Sequence, residues 1–452
     1  MPLTLLPNSS YFITMENKKI ELGSDSVRKI FSHYAIPSVF GLVSISTAQI
    51  VDGIFIGRFV GPEGLAAINL AWPLVMVFSG LSLMFGTGGS TLANIQRGAG
   101  NKTSANRLYS LTLILLAILS LVTLVAGLST LKFIPFFLGA DSSIEIMVSD
   151  YLKIIIIFAP FFLYTFTLDL FIRGGGSPFF PVVAMISGSV INILLDYLFI
   201  GYYNFGIKGA AWATGISEVI PFSLMVYFLF NKSGWSFVKP VTERRIIIRI
   251  MYNGMSEFID EVSIGASVYI FNLVLMIKIG AMGVAAYSIA SYIGEIAGLI
   301  FFGTAQAIHP GVSFNKGAGK YTRVKKFRNA ALFSNFLIGI VAFFILQIFR
   351  NDIAGLFVRD ITVINMASEI SFYYSFALIF MGINITAAMY FTALDKPVQS
   401  AVIALSRSFI ILLIGLLVLP LFFGNTGIWL SFLFAEIVTF IIVIIIQLRY
   451  HY

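Results

Sequence analysis

The chain has 452 residues, 58% hydrophobic and 11% charged, against roughly 25% charged in an average soluble domain, so its solvent is lipid. It has no cysteine, which excludes disulfides, thiolate metal sites and cysteine nucleophiles, and its three histidines, His33, His309 and His451, are too scattered for a metal cluster. A net charge of +8 would suggest nucleic acid in a soluble protein; here basic loops account for it, and neither nucleic acid nor a cofactor is expected.

Residues 1–30 contain no apolar core of a signal peptide and read as a cytoplasmic N-terminal segment. Met15 opens a polar start, so residues 1–14 read as an upstream extension with no function assigned. A membrane-spanning helix needs about 20 mainly apolar residues. Runs of that kind, bounded by Gly, Pro and charges, predict helices at 33–57, 65–92, 107–130, 150–172, 178–201 and 207–230, then at 248–278, 284–312, 327–349, 366–391, 397–423 and 427–448. The predicted fold is an all-α membrane protein with twelve transmembrane helices in two parallel six-helix repeats. An N-terminal bundle covers 31–230, a basic linker with Gly234 and Pro240 covers 231–247, and a C-terminal bundle covers 248–452.

The repeat is visible directly. Displaced by 219 residues, Gly61, Gly64, Ala66, Ala67 and Ala71 face Gly280, Gly283, Ala285, Ala286 and Ala290. Gly98-Ala99-Gly100 faces Gly317-Ala318-Gly319, and Thr167 and Pro178 face Thr386 and Pro397, with no gap between about 41 and 198. A duplicated hydrophobic chain of this kind signals a transporter whose two bundles rock against each other. Six is even, so both repeats enter the membrane from one side.

Lys and Arg fix that side: 21 of them fall on the face carrying both termini and 6 on the other. The termini are therefore expected in the cytoplasm.

An ionisable residue inside a spanning helix costs about 2.5–3.5 kcal/mol on insertion scales. The first helix is uncharged from Ala35 to Val51 and then presents Asp52, about six residues or ~9 Å from its outer end. The fifth presents Asn192 and Asp196 one turn apart at a similar depth, and the sixth, running inward, brings Thr214 to the same level. Four oxygen-bearing side chains from three helices suit a proton or sodium ion, a hard cation that prefers oxygen ligands. The competing assignment pairs Asp52 with Arg58 and Asp196 with Lys208. The repeats differ here: Asp52, Asn192 and Asp196 face Phe271, Ile411 and Gly415, whereas a scaffold residue would more often survive in both halves.

Asp169 and Arg173, four residues apart, read as a structural salt bridge, and Arg407 and Glu436 lie at a common depth where each would neutralise the other. Glu257 and Glu261 share a face of the seventh helix with Asp260 beside them. Glu295 stands halfway along the eighth, aligned with Met76 in the other repeat. Glu257, Glu261, Glu295 and Met76 are candidates for a cavity that attracts organic cations; the alternative is that these acids face cytoplasmic water. His309-Pro310 marks a kink in the eighth helix. Pro37, lacking a backbone donor, is a candidate hinge in the first. Gly86, Gly88, Gly89, Gly298 and Gly303 permit close helix approach.

From about residue 25 the chain resembles the multidrug and toxic compound extrusion (MATE) transporters, and within them the bacterial multidrug pumps. The resemblance rests on Val51-Asp52-Gly53-Ile54-Phe55-Ile56-Gly57, Gly64-Leu65-Ala66-Ala67-Ile68-Asn69, Gly98-Ala99-Gly100-Asn101 with its echo at 317–320, Asn192-Ile193-Leu194-Leu195-Asp196 and Gly209-Ala210-Ala211-Trp212-Ala213-Thr214. It implies two bundles in a V that export drugs in exchange for H⁺ or Na⁺. Members with a cation site in the first bundle use residues matching Asp52, Asn192, Asp196 and Thr214. The acid used by another branch in its seventh helix would fall at Gly265 here, which puts that second-bundle site in doubt. Gly174-Gly175-Gly176 stands where relatives often carry an acid.

The expected function is therefore a secondary antiporter for amphipathic, cationic organic compounds, acting as a monomer among membrane lipids of the plasma membrane, with no metal beyond Na⁺. A lipid-linked oligosaccharide flippase is the alternative. It usually needs a cationic central cavity, and only Arg407 is a clear membrane-core arginine. An intramembrane enzyme lacks a metal or nucleophile constellation. Major-facilitator transporters also have parallel repeats, but residues 100–107 lack their loop pattern.

Overall fold

A computed structural model describes residues 20–142 and 144–449. The extension at 1–14, the start at Met15 and His451 lie outside the described residues. Among those described, twelve helices are long and apolar enough to span a membrane. They are α1 (Val27–Phe59), α2 (Pro62–Gly98), α3 (Lys102–Thr130), α4 (Glu145–Gly174), α5 (Phe179–Asp196, prolonged by π turns Tyr197–Tyr202) and α6 (Gly206–Asn231). The second repeat supplies α7 (Arg244–Lys278), α8 (Ala281–Gln306, resumed as His309–Gly317), α9 (Tyr321–Phe357), α10 (Ile361–Ala393), α11 (Pro397–Leu405, π turns Ser406–Ile410, then Ile411–Phe423) and α12 (Asn425–Arg449). All twelve predicted spans are present, and α8 breaks just before His309-Pro310. Most helices outrun their apolar windows. At 37 residues, α9 is about 55 Å long, against a hydrocarbon core of ~30 Å. Its first turns carry Arg323, Lys325, Lys326 and Arg328, whose long side chains reach water while their stems stay on the helix.

Local chemistry starts these helices. The Ser26 and Asn101 side chains accept the backbone N–H of Lys29 and Ser104 at 3.3 and 3.0 Å, and Asp360 accepts from Thr362 and Val363. Pro62 and Pro397 occupy first-turn positions where no donor is missed. Within the repeats, α4 and α10 are the central helices: 67% of each apolar window is buried, the highest share among the spans. The chain between α6 and α7 is bound along the first repeat. Trp235 is buried, donates to the Phe171 carbonyl at 2.7 Å and stacks on Tyr109, while Val238 N–H bonds Ser110 Oγ at 2.8 Å.

The two repeats meet along α2 against α7 and α1 against α8. Glycine makes this seam possible. A Cβ on Gly88 would strike the Ile250 carbonyl, one on Gly254 the Met84 carbonyl, one on Gly98 the Phe314 carbonyl, and one on Gly317 the Ile95 carbonyl. Gly98 and Gly317 are the same position of the two repeats, and each meets the segment that carries the other, as residues near a two-fold axis must. Gly303 lies against Val39 of α1 in the related contact. These approaches lie towards the end of α2 that carries the chain termini. Here the segment before α1 also crosses to the second repeat: Asn315 Nδ2 and Arg323 Nη2 donate to the Leu22 carbonyl at 2.9 and 3.1 Å, and Arg323 donates to Asp25 O at 2.7 Å. The lobes are thus clasped at the termini face of the V.

Gly98→Val and Gly317→Val would each press a side chain into a carbonyl, at an overpacking cost of about 1–3 kcal/mol. Spin labels on α2 and α8 near the termini face should then report a longer distance than in the unsubstituted protein. An unchanged distance would mean that other contacts hold the lobes together.

Candidate functional site

Helix register sets the levels in the first lobe. Gly41 of α1 sits against Val182 and Met185 of α5, and Gly201 sits against Phe55 and Phe59, so the two parallel helices run in step and Asp52 comes level with Asp196. On the other side of α5, Gly188 lies against Ser217 and Pro221 while Gly209 lies against Phe199, which brings Asn192 to the level of Thr214. Asp196 is fully buried, Asn192 is 8% exposed, and Asp52 and Thr214 are half-buried. The structure therefore puts all four residues at one level and brings Asp52 and Asp196 together.

Asp52 and Asp196 lie within hydrogen-bonding reach of each other, yet their surroundings leave them short of donors. Apart from that mutual contact, both carboxyl oxygens of Asp196 and Oδ1 of Asp52 receive no hydrogen bond. Lys208 bonds Asp150 at 3.1 Å and not Asp196, so the competing salt-bridge assignment fails for that acid. Tyr151 of α4, 4% exposed, is within electrostatic reach of both acids. Nothing in the sequence distinguishes it from the other 18 of the 19 tyrosines. Beyond the acids, Ile56, Ile200 and Ala210 pack with Phe55, Val60 and Ile68 into an apolar cap. The π turns of α5 begin at the residue after Asp196, and such turns recur at functional sites. A buried carboxylate without a partner is costly.

The other predicted residues are dispersed. Glu261 lies on the α2–α7 seam beside Gly80, Met76 faces Gly265 across it, and Glu295 is exposed on α8. Glu257 points instead into the second lobe, where Thr392 Oγ1 donates to it at 3.1 Å. Pro37 lies buried inside an unbroken α1. Beside it, Asp169 and Arg173 form the predicted pair at 2.5 Å, and Arg173 also donates to Ser38 Oγ and accepts the Tyr34 hydroxyl at its carbonyl, 2.8 Å away. Arg407 lies 3.7 Å from Glu436 but is nearer to Asp260, 3.2 Å from both of its oxygens.

A model of the MatE family matches residues 37–198 and 261–417, well over half of the chain. The chain belongs to the MATE family. This MATE protein is 26% identical to the multidrug export protein MepA of Staphylococcus saprophyticus over 416 residues, 91% of each chain. MepA of Staphylococcus aureus is equally similar, 26% over 415 residues and 91% of each. Its fold matches the crystal structure of a MATE protein in complex with MaL6 with a TM-score of 0.90 at 22% identity, covering 96% of this chain and 98% of that one. A MATE transporter from Vibrio cholerae matches at 0.88 and 20% identity, covering 94% and 96%. The protein is a membrane transporter and not an enzyme.

Asp169→Asn would leave Arg173 buried without its counter-charge, a loss of about 3–5 kcal/mol. Thermal unfolding of the purified protein should fall accordingly, and Asp169→Leu with Arg173→Met should recover most of the loss. Wild-type stability in the single variant would remove this anchor of α1.

Proposed function

We propose that this MATE protein is an antiporter that exports amphipathic, cationic organic compounds in exchange for H⁺ or Na⁺ taken up at Asp52, Asn192, Asp196 and Thr214. The unpartnered oxygens of Asp52 and Asp196 carry this reading. A site that leaves two neighbouring buried carboxyls without donors exchanges readily with a cation and resists standing empty. The names of the curated relatives, multidrug export proteins, supply the cargo class. In this reading the basic, termini-bearing face is cytoplasmic, the protein works as a plasma-membrane monomer, and residues 31–230 and 248–452 rock about the seam. Glu261, Glu295 and Met76 line the path between the lobes and favour cationic substrates. A flippase for lipid-linked oligosaccharide fits less well, because Arg407 is already committed to Asp260 and Glu436.

Exchange requires that cation and substrate favour different states. Filling the acid pocket removes negative charge from between α1, α5 and α6, and Pro37 lets α1 bend in response. Each 100 mV of membrane potential adds about 2.3 kcal/mol per charge moved fully across, so one ion gives a useful bias.

Asp52→Asn and Asp196→Asn should each abolish gradient-driven ethidium efflux from vesicles while leaving expression intact. Imposing the pH and sodium gradients separately identifies the coupling ion, and full transport by both variants would remove the site from this lobe.

Glu261→Gln with Glu295→Gln should raise the half-saturating concentration severalfold for an organic cation and much less for a neutral drug. Equal effects on the two would assign these acids to gating.

A further inference from the structure

The second lobe has its own polar interior, away from the acid pocket of the first. A small cavity of about 20 Å³ is bordered by Ser256, Glu257 and Asp260 of α7, Ser400 and Arg407 of α11, and apolar side chains of α8 and α10. That is room for one water molecule. Two carboxyls and one guanidinium line it, and a third carboxyl, Glu436, stands behind the guanidinium. Asp260 is fully engaged, bonded by Arg407 and by the Ser408 hydroxyl. Glu436 takes the other side of Arg407 and accepts from Asn384 Nδ2 at 2.6 Å.

Glu257 receives nothing from Arg407. It is 8% exposed, and its hydrogen bond is to the Thr392 hydroxyl at Oε1. Thr392 in turn contacts Ser400 Oγ at 2.7 Å and Ser256 Oγ at 3.2 Å. The other carboxyl oxygen of Glu257 has no protein partner, and Glu257 is one of the residues that line the cavity. The charged groups around it are unfavourable to a second negative charge. Asp260 and Glu261 share its helix, Arg407 of α11 is already held by two acids, and Glu436 of α12 lies behind that arginine. The other charged residues of α2, Glu63 and Arg97, sit at its ends, and Glu295 of α8 is exposed. An ionised carboxylate without a counter-charge in such an interior costs several kcal/mol. A metal cation would have to sit beside Arg407, which repels it.

We propose that Glu257 is a second, independent proton carrier of this transporter, its proton held on the oxygen without a protein partner and exchanged through the single water that the cavity admits. The helix that bears it ties the proton to the motion of the lobes. Gly254, three residues before Glu257, abuts the Met84 carbonyl at the seam, and Phe258, the next residue, lies against Gly80 of α2. Parting the lobes frees this stretch of α7 and admits water to Glu257, which then ionises. The inference rests on the antiport reading for its consequence, a second proton per cycle, and not for the existence of the proton.

The test is infrared spectroscopy of the full-length protein in lipid nanodiscs, which reads the carbonyl stretch of a protonated carboxyl as buffer pH is raised. Glu257→Gln should remove one carboxyl's share of that signal, and Glu257→Asp should shift it. The same component should persist in the Asp52→Asn, Asp196→Asn double variant, so failure of the first-lobe site leaves this result intact. Thr392→Val deletes the donor that favours the ionised form, so its component should titrate at a pH higher by about one unit or more; this variant serves if Glu257→Gln does not fold. A spectrum unchanged by Glu257→Gln, or a Glu257 band that responds to sodium and not to pH, would overturn the proposal.

Discussion

Everything about this molecule depends on backbone meeting backbone where the two repeats cross. Apolar side chains give no net drive for helices to associate in lipid, because the acyl chains are equally apolar; close packing does the work. The contacts of Gly88 with Ile250, Gly254 with Met84, and Gly98 with Gly317 and its neighbours bring helix axes together with no side chain between them. Contact of this kind has two consequences. It holds the lobes together at the end that carries the chain termini. It is also smooth, since carbonyl and Cα surfaces interlock less than branched side chains do, and it suits a joint that must open and close.

The two lobes share a scaffold but treat their buried acids in opposite ways. In the first, Asp52 and Asp196 face each other with unpartnered oxygens under an apolar cap. In the second, Asp260 and Glu436 are held by Arg407, Ser408 and Asn384, while Glu257 has a hydroxyl donor in place of a counter-charge. Duplication gave both lobes the same helices, and divergence then left two neighbouring acids in the first and a network centred on a guanidinium in the second. A satisfied network stiffens its lobe, whereas an unsatisfied pair makes conformation sensitive to ion binding. The asymmetry already visible at positions 271, 411 and 415 of the sequence is thus a difference in how each lobe meets its buried charge.

The sequence disclosed those features that depend on one helix at a time. Spans follow from apolar length, the kink in α8 from Pro310, and the Asp169–Arg173 pair from its spacing of four. The level shared by Asp52, Asn192, Asp196 and Thr214 follows from the rise per residue, because depth needs no knowledge of which helices touch. Helix ends came out short because basic turns such as Arg323–Arg328 fail a hydropathy criterion while remaining helical. Partner choice was not legible. Lys208 turns to Asp150, and Arg407 to Asp260 before Glu436, for reasons that lie in how neighbouring helices are rotated. Tyr151, Thr392 and Ser400 were missed for the same reason, since an uncharged hydroxyl in a span carries no signal until its neighbours are known.

The two π segments bear on why the charged groups can exist at this depth at all. One follows Asp196 directly, and the other contains Arg407 and Ser408. A π turn adds a residue without ending the helix, so it rotates the side chains beyond it and loosens carbonyls from the regular ladder. In α11 the loosened carbonyl of Ser408 finds the Ser267 hydroxyl of α7, while the Ser408 side chain reaches Asp260 of the same helix. One irregular turn therefore both aims Arg407 at the acids of α7 and repairs the backbone bond it gave up. In α5 the π turns run from Tyr197 to Tyr202, directly after Asp196, and carry Ile200 of the apolar cap within them, so the acid and its cap are seated by one irregular stretch of helix.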